Sequence, residues 1–355
     1  QAPPQRPPGA AVDPPLKPRL AEPGDLPPTQ GLTVLSDEVV EQVTDGDATV
    51  RLRKERLLVD GRIALVRKRL PGSDGPKVVL VHGFAQNRYT WHLSKRSPSA
   101  WLAAEGFDVY NLELPGHGNS RSPAGSAAFG AYVDDVRRVA EVLAEPAFWV
   151  GHSLGGAAVY AGATVAPMRG VVGIGAMFRF AQANRALRLL CHFSGMVQGR
   201  DVVGALNVRT QLAGRLLAKL YSISDIAGYA FPVSGWAPGS IEEDLLAERL
   251  SKGFDWTSGN VWFDMARWGT SGRFDYEDAW GATDVPVLVV GGDLDHLMLP
   301  DDARSAYDLS GSADRTLALL DDYGTGVHWG HLDLVVGRHA PTHVWPMLRD
   351  WMRAR

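Results

Sequence analysis

Apolar and polar positions along the chain fall into short blocks whose period changes from two to about 3.6 and back. Residues 50–59 and 63–70 are strand-like runs, and Asp60-Gly61 between them is a two-residue hairpin signal, because both residues tolerate the positive φ such a turn demands. Residues 77–81 (KVVLV) are apolar almost throughout, the pattern of a strand covered on both faces of a parallel sheet. The spacing then predicts a helix over 97–105, a strand over 107–112, an amphipathic helix over 131–143, and strands over 147–150 and 170–175. This alternation predicts an α/β fold with a mostly parallel, doubly wound sheet.

The rhythm breaks after residue 176. Residues 177–220 read as helical and apolar, and 229–280 are rich in aromatics, including Trp236, Trp256, Trp262, Trp268 and Trp280. Strand and helix patterns return at 285–290 (VPVLVV), 301–309, 316–320 and 343–353. Because the chain must come back to finish its sheet, residues 177–280 are expected to form an inserted, largely helical cap on a core made of 32–176 and 281–355. Ahead of the core, residues 1–31 are expected to be an extended tail. Ten of the chain's 23 prolines lie in the first thirty residues, and proline supports neither helix nor sheet ladders.

Composition narrows the function classes. With 355 residues the chain can bury a large core. A net charge of −4 gives no electrostatic reason to expect nucleic acid as partner. Cys191 is the single cysteine, so neither an intrachain disulfide nor a cysteine-based metal site can form. No apolar run is long enough to cross a bilayer. A proline-rich start without methionine reads as a mature exported chain, secreted or periplasmic, with a cytoplasmic protein as the alternative.

The chemistry concentrates in Gly151-His152-Ser153-Leu154-Gly155, between a strand and a small-residue helix. Glycines two before and two after the serine let the backbone make a sharp turn that exposes the hydroxyl at a helix N-terminus. A serine hydroxyl needs a base, and the base an orienting acid. The loop after 285–290 offers Asp293 and Asp295; the loop after 316–320 offers His328 and His331. The backbone N–H groups of Phe84, after His82-Gly83, and of Leu154 are the expected oxyanion donors. His152 occupies the variable position of the turn and reads as packing or pocket wall. The loop 114–120 (LPGHGNS) reads as structural.

Taken together, these motifs resemble the α/β-hydrolase superfamily over residues 50–355. Within it the stretches LVHGFAQNRYTWHL, WLAAEGFDVYNLELPGHGNS and HLDLVVGRHAPTHVWPMLRDW look most like the acid lipases, the gastric and lysosomal group. The resemblance implies Ser153, Asp295 and His331 as a catalytic triad, preferring Asp295 because it stands five residues before Pro300 and His331 because it follows glycine ahead of an apolar residue. Asp293 then becomes a turn residue and His328 a loop residue that lines the pocket. Leu154 departs from the polar residue that acid lipases carry there, which favours a general carboxylesterase or lipase. A fainter resemblance of the C-terminal stretch is to polyhydroxyalkanoate synthases, but those use cysteine where this chain has Ser153.

The implied activity is hydrolysis of carboxylic esters through an acyl-enzyme, without metal or organic cofactor, on a small-molecule or lipid-like ester, with a lipid surface as a compatible location. Met177, Phe178, Phe180, Leu187, Leu189, Leu190, Phe193, Met196 and the five tryptophans supply apolar surface for a medium or long acyl chain. Acyl transfer, amide or peptide hydrolysis and C–C hydrolysis use the same groups, and a non-catalytic binding protein is the alternative of a different class.

Overall fold

The computed structural model describes residues 31–123, 127–197, 207–209 and 235–355. The expected tail up to residue 30 lies outside the described residues, as do 198–206 and 210–234 of the expected insertion and the side chains of Met196 and Trp256. Nine strands form one sheet: β1 (Leu32–Asp45), β2 (Ala48–Val59), β3 (Ile63–Arg69), β4 (Lys77–Val81), β5 (Asp108–Leu112), β6 (Phe148–His152), β7 (Gly170–Ile174), β10 (Val287–Gly292) and β11 (Arg315–Leu320), in the order β1-β2-β3-β5-β4-β6-β7-β10-β11. The strands from β5 to β11 in that order run parallel, and β1, β2 and β3 are antiparallel additions at one edge. The β2–β3 turn has φ of 51° at Asp60 and 64° at Gly61, the two positive values that the Asp-Gly pair predicts.

Strand β4 explains why its sequence carries no alternation. Val79 and Val81 pack into one apolar cluster and Val78 and Leu80 into the other, so both faces are covered. On the first face lie α2 (Phe129–Leu143), α3 (Leu154–Ala163) and α8 (Pro300–Asp308); on the second lie α1 (Pro98–Ala104) and α11 (Ala340–Arg353). Two single-turn helices, α9 (Asp322–Thr325) and α10 (Asp333–Val336), bracket the loop that follows β11. β1 is a strand that the hydrophobic pattern does not predict. Most of its fourteen residues are exposed or half-exposed, so neither face imposes an apolar period on the sequence.

Between β7 and β10, which pair directly, the chain leaves the sheet. The described part of this excursion holds α4 (Arg185–Val197), α5 (Glu243–Lys252), α6 (Gly259–Ser271), the short α7 (Glu277–Gly281), and a two-stranded ribbon of β8 (Asn207–Arg209) and β9 (Trp256–Ser258). The ribbon strand β8 stands where a continuous helical pattern is expected. Among the described residues no helix is long and apolar enough to cross a membrane.

The strand order reverses at β4. The chain passes from β4 to its neighbour β5 and then returns to β6 on the other side of β4. A crevice opens beyond the carboxyl ends of two parallel strands at such a reversal, and ligands of open α/β sheets bind there.

Candidate active site

Both loops at that reversal carry residues singled out in the sequence. β6 ends at His152, and Ser153 follows with φ 57° and ψ −125°, a backbone conformation that costs a non-glycine residue energy. The turn is feasible because its glycines have no side chains. A Cβ on Gly151 would lie 2.4 Å from the Gly155 carbonyl oxygen, and one on Gly155 would lie 2.3 Å from that of His82. The turn is pinned by Ser153 N–H donating to the Ile174 carbonyl at 3.1 Å and Met177 N–H donating to the Ser153 carbonyl at 3.0 Å. Ser153 therefore sits at the N-terminus of α3, where the first backbone N–H groups point outward.

The loop after β4 comes against this serine from the other side. A Cβ on Gly83 would be 2.9 Å from Ser153 Cβ, so only glycine permits the approach. His82 fixes the loop: its Nδ1–H donates to the Gly83 carbonyl at 2.9 Å and its Nε2 accepts from Leu114 N–H at 3.0 Å. One donor and one acceptor make a neutral imidazole, and burial holds the His82 pKa well below the ordinary histidine value. Among the described residues neither the Phe84 N–H nor the Leu154 N–H has an acceptor, so both remain available to a ligand oxygen.

Asp295 and His331 meet on the far side of the serine turn. His331 Nδ1–H donates to Asp295 Oδ2 at 2.7 Å, with both side chains buried. The other carboxylate oxygen of Asp295 accepts from the N–H groups of Leu297 and Met298 at 2.9 and 2.8 Å. His331 Nε2 is buried and has no partner among the described residues, hence no hydrogen bond to the Ser153 hydroxyl. The imidazole lies beside the serine turn through His152, whose Nε2–H donates to the His331 carbonyl at 3.1 Å and whose ring centre is 4.5 Å from that of His331. Burial pushes the His152 pKa well down, and neighbouring positive charge adds to it. A histidine held at one nitrogen by a carboxylate, with the other nitrogen free, can accept and return a proton.

Asp293 and His328 form a different pair. His328 Nδ1 contacts Asp293 Oδ2 at 2.5 Å and its Nε2 faces Asp322 at 3.6 Å, with the imidazole half exposed. The hydrogen bond to Asp293 raises the His328 pKa. Asp293 also accepts from Trp329 N–H at 2.8 Å, as a turn-stabilising carboxylate does. His328 lines a cleft of about 350 Å³ with Ala237, Leu294, Val327 and His339, and Ser153 is not among its walls. The loop 114–120 meets the other expectation through structure: Ser120 Oγ accepts from Ala64 N–H at 2.8 Å, tying it to β3.

Three positions near these groups escape sequence reasoning. Gly175, with φ 49°, leaves room for the Asp295–His331 pair, since its Cβ would lie 3.0 Å from both Asp295 Oδ2 and His331 Nδ1. Asp333, two residues after His331, accepts from Gly330 N–H at 2.7 Å and from Ala237 N–H at 3.1 Å, linking the histidine loop to the excursion. Arg249, on α5, is a buried arginine near the Gly83 loop. The glycine after a strand and the acid after Gly-His are weak signals; Arg249 sits in an ordinary amphipathic helix and gives none.

A parallel sheet that reverses order at β4, with a left-handed serine at the head of α3 and a carboxylate–histidine pair beside it, defines the class of serine-elbow α/β proteins. The chain belongs to the alpha/beta hydrolase family, whose sequence profile matches residues 78–343. An uncharacterized protein of Mycobacterium tuberculosis is 24% identical over 253 residues, covering 68% of this chain and 71% of that one. A pimeloyl-[acyl-carrier protein] methyl ester esterase of Xanthomonas oryzae is 37% identical over 113 residues, 31% of this chain and 40% of that enzyme. Among solved structures, the monoacylglycerol lipase of Paleococcus ferrophilus superposes with a TM-score of 0.59 at 19% identity, over 82% of this chain and 99% of that one. A soluble variant of the Saccharomyces cerevisiae monoglyceride lipase gives 0.58 at 17% identity, over 90% of this chain and 96% of that one.

Proposed function

We propose that the protein hydrolyses carboxylic esters, with Ser153 as nucleophile, His331 as general base and Asp295 as the acid that orients it. The Ser153 hydroxyl attacks the ester carbonyl while His331 Nε2 takes its proton. The resulting oxyanion is met by the Phe84 and Leu154 N–H groups. Collapse expels the alkoxide, which takes the proton from His331 and leaves as the alcohol; water then gives a proton to His331 as it attacks the acyl group, and Ser153 takes that proton back as the acid departs. The observation that carries this reading is the buried Asp295–His331 hydrogen bond with His331 Nε2 unpartnered, in a chain whose serine already holds the elbow conformation.

The methyl ester esterase of Xanthomonas oryzae and the two glyceride lipases are in keeping with an ester substrate. None of those proteins is a gastric or lysosomal lipase, so the reading stays at a carboxylic ester hydrolase. The described part of residues 177–280 acts as its cap: Asp255 N–H donates to the Ala85 carbonyl at 2.9 Å, and the rings of Trp262 and Phe84 are 6.2 Å apart. Buried Phe178, Phe180 and Leu187 belong to the packed interior, whereas Leu189, Leu190 and Phe193 are exposed on α4. A medium or long acyl chain suits this apolar surface.

Wild-type protein should label with a fluorophosphonate probe and turn over p-nitrophenyl esters. Ser153→Ala and His331→Ala should each lose about 10⁴-fold or more in kcat. Near-normal turnover in either variant would overturn the assignment, and a series of ester chain lengths would set the preferred acyl group.

A further inference from the structure

A buried guanidinium that pairs with no carboxylate among the described residues stands behind the loop that carries Phe84. Arg249 has no exposed surface. Its Nη2 donates to Thr90 Oγ1 at 3.1 Å, its Nε and Nη1 have no partner among the described residues, and the Phe254 ring centre lies 5.5 Å from its Cζ. Burial lowers its pKa to about 9, with no carboxylate among the described residues to offset the loss of water. An unpaired buried charge works against folding, and a methionine of similar volume would not carry that penalty. Such a group calls for a role other than stability.

Arg249 is connected to the serine turn by a short chain of contacts. Thr90 Oγ1 accepts from Arg249 and donates to Gln86 Oε1 at 2.9 Å. The Gln86 carboxamide carbon lies 3.2 Å from the point where a Gly83 side chain would begin, and that point is 2.9 Å from Ser153 Cβ. The same stretch of the excursion grips the loop through its backbone. Asn87 Nδ2 donates to the Lys252 carbonyl at 2.9 Å, Asp255 N–H donates to the Ala85 carbonyl at 2.9 Å, and Gln86 and Phe254 form a β-bridge. Burial sets the lowered pKa values of His82 and His152, and the Arg249 charge makes a small addition in the same direction at both. Those two histidines precede the loops that present the Phe84 and Leu154 N–H groups.

Resting on the ester-hydrolase reading, we propose that Arg249 is a positioning residue of the oxyanion hole. Through Thr90 and Gln86 it fixes the loop that carries the Phe84 N–H. Its unneutralised charge, in a medium of low dielectric, favours the negative charge that develops on the carbonyl oxygen.

The test compares wild type, Arg249→Met, Arg249→Lys and Thr90→Val in the full chain, by p-nitrophenyl butyrate kinetics, binding of n-butylboronic acid and thermal melting. The boronic acid becomes a tetrahedral anion on the serine and so reports the oxyanion hole. Arg249→Met should lower kcat by about 10- to 100-fold and weaken boronic acid binding in parallel. Its KM should stay within about twofold and its Tm should equal or exceed the wild-type value. Arg249→Lys should recover part of both losses, and Thr90→Val should show a smaller loss of the same kind. The proposal is overturned if Arg249→Met keeps wild-type kcat, or if its kcat falls with boronic acid binding intact. Should Arg249→Met fail to fold, full kcat and boronic acid affinity in both other variants overturn it, and parallel losses support it. Turnover by Ser153→Ala would instead sink the ester-hydrolase reading itself; an inactive Ser153→Ala beside a fully active Arg249→Met sinks only the role of Arg249.

Discussion

Gly175 and Gly83 matter for what they leave empty. Each lies where a methyl group would press on a side chain of the proposed triad, Gly83 on Ser153 and Gly175 on the Asp295–His331 pair. Gly175→Ala must also hold φ near 49°, which costs an alanine about 1–2 kcal/mol. Its larger effect should be on rate: displacing His331 by a fraction of an ångström is expected to lower kcat by about 10- to 100-fold, read from ester kinetics on protein shown by circular dichroism to be folded. His328→Ala, by contrast, should leave kcat within about twofold, because that imidazole is half exposed and pairs with Asp293. An equal loss in His328→Ala and His331→Ala would contradict the separate roles of the two imidazoles. At this scale the sequence supplies the serine turn and two candidates each for acid and base. Asp293 and Asp295 are two residues apart in one loop, and what separates them is a turn of the backbone that buries Asp295 against His331 and the N–H groups of Leu297 and Met298 while Asp293 faces His328 and the Trp329 N–H. No side-chain pattern encodes that rotation.

Among elements, legibility follows burial. The strand 77–81 is readable because both its faces are covered, and the hairpin after Val59 is readable because its two turn residues adopt positive φ. β1 is not, since most of its residues are exposed or half-exposed, which leaves its composition only loosely constrained. In α8 the sequence hides a buried charge. Asp302, in its first turn, is buried, with Oδ1 accepting from Ala183 N–H at 3.0 Å at the start of the excursion and Oδ2 unpartnered among the described residues. Burial raises its pKa from 3.8 to about 6. The folded chain therefore holds this proton more tightly than the unfolded one. Its stabilising effect is complete below about pH 4 and is lost as the pH rises through 6. Asp302→Asn keeps the acceptor for Ala183 and removes the charge. It should raise Tm relative to wild type at pH 8, by an amount corresponding to about 3 kcal/mol, and the difference should shrink at pH 4.5. A constant difference across that range would refute the assignment.

At the scale of the whole molecule, the alternation of strands and helices is enough to predict the doubly wound sheet, and the interrupted rhythm to predict an excursion between two parts of it. What the excursion touches is not readable. Much of its grip on the Gly83 loop runs through the Ala85 and Lys252 carbonyls and the Asp255 N–H, which every sequence possesses, and its side-chain contacts, Asn87 to the Lys252 carbonyl and Arg249 to Thr90, join residues about 160 apart that no local pattern links. Because β7 pairs directly with β10, the site is assembled from distant parts of the chain. Phe84, Ser153 and Leu154 come from the first half, and Asp295 and His331 from the last sixty or so residues. On the proposed assignment, a nascent chain still threaded through the ribosome would thus hold a serine with no base, silent until its final strands have emerged and docked. Cut within the excursion, the protein would divide into two fragments, each carrying half of the chemistry, whose reunion would itself be the signal.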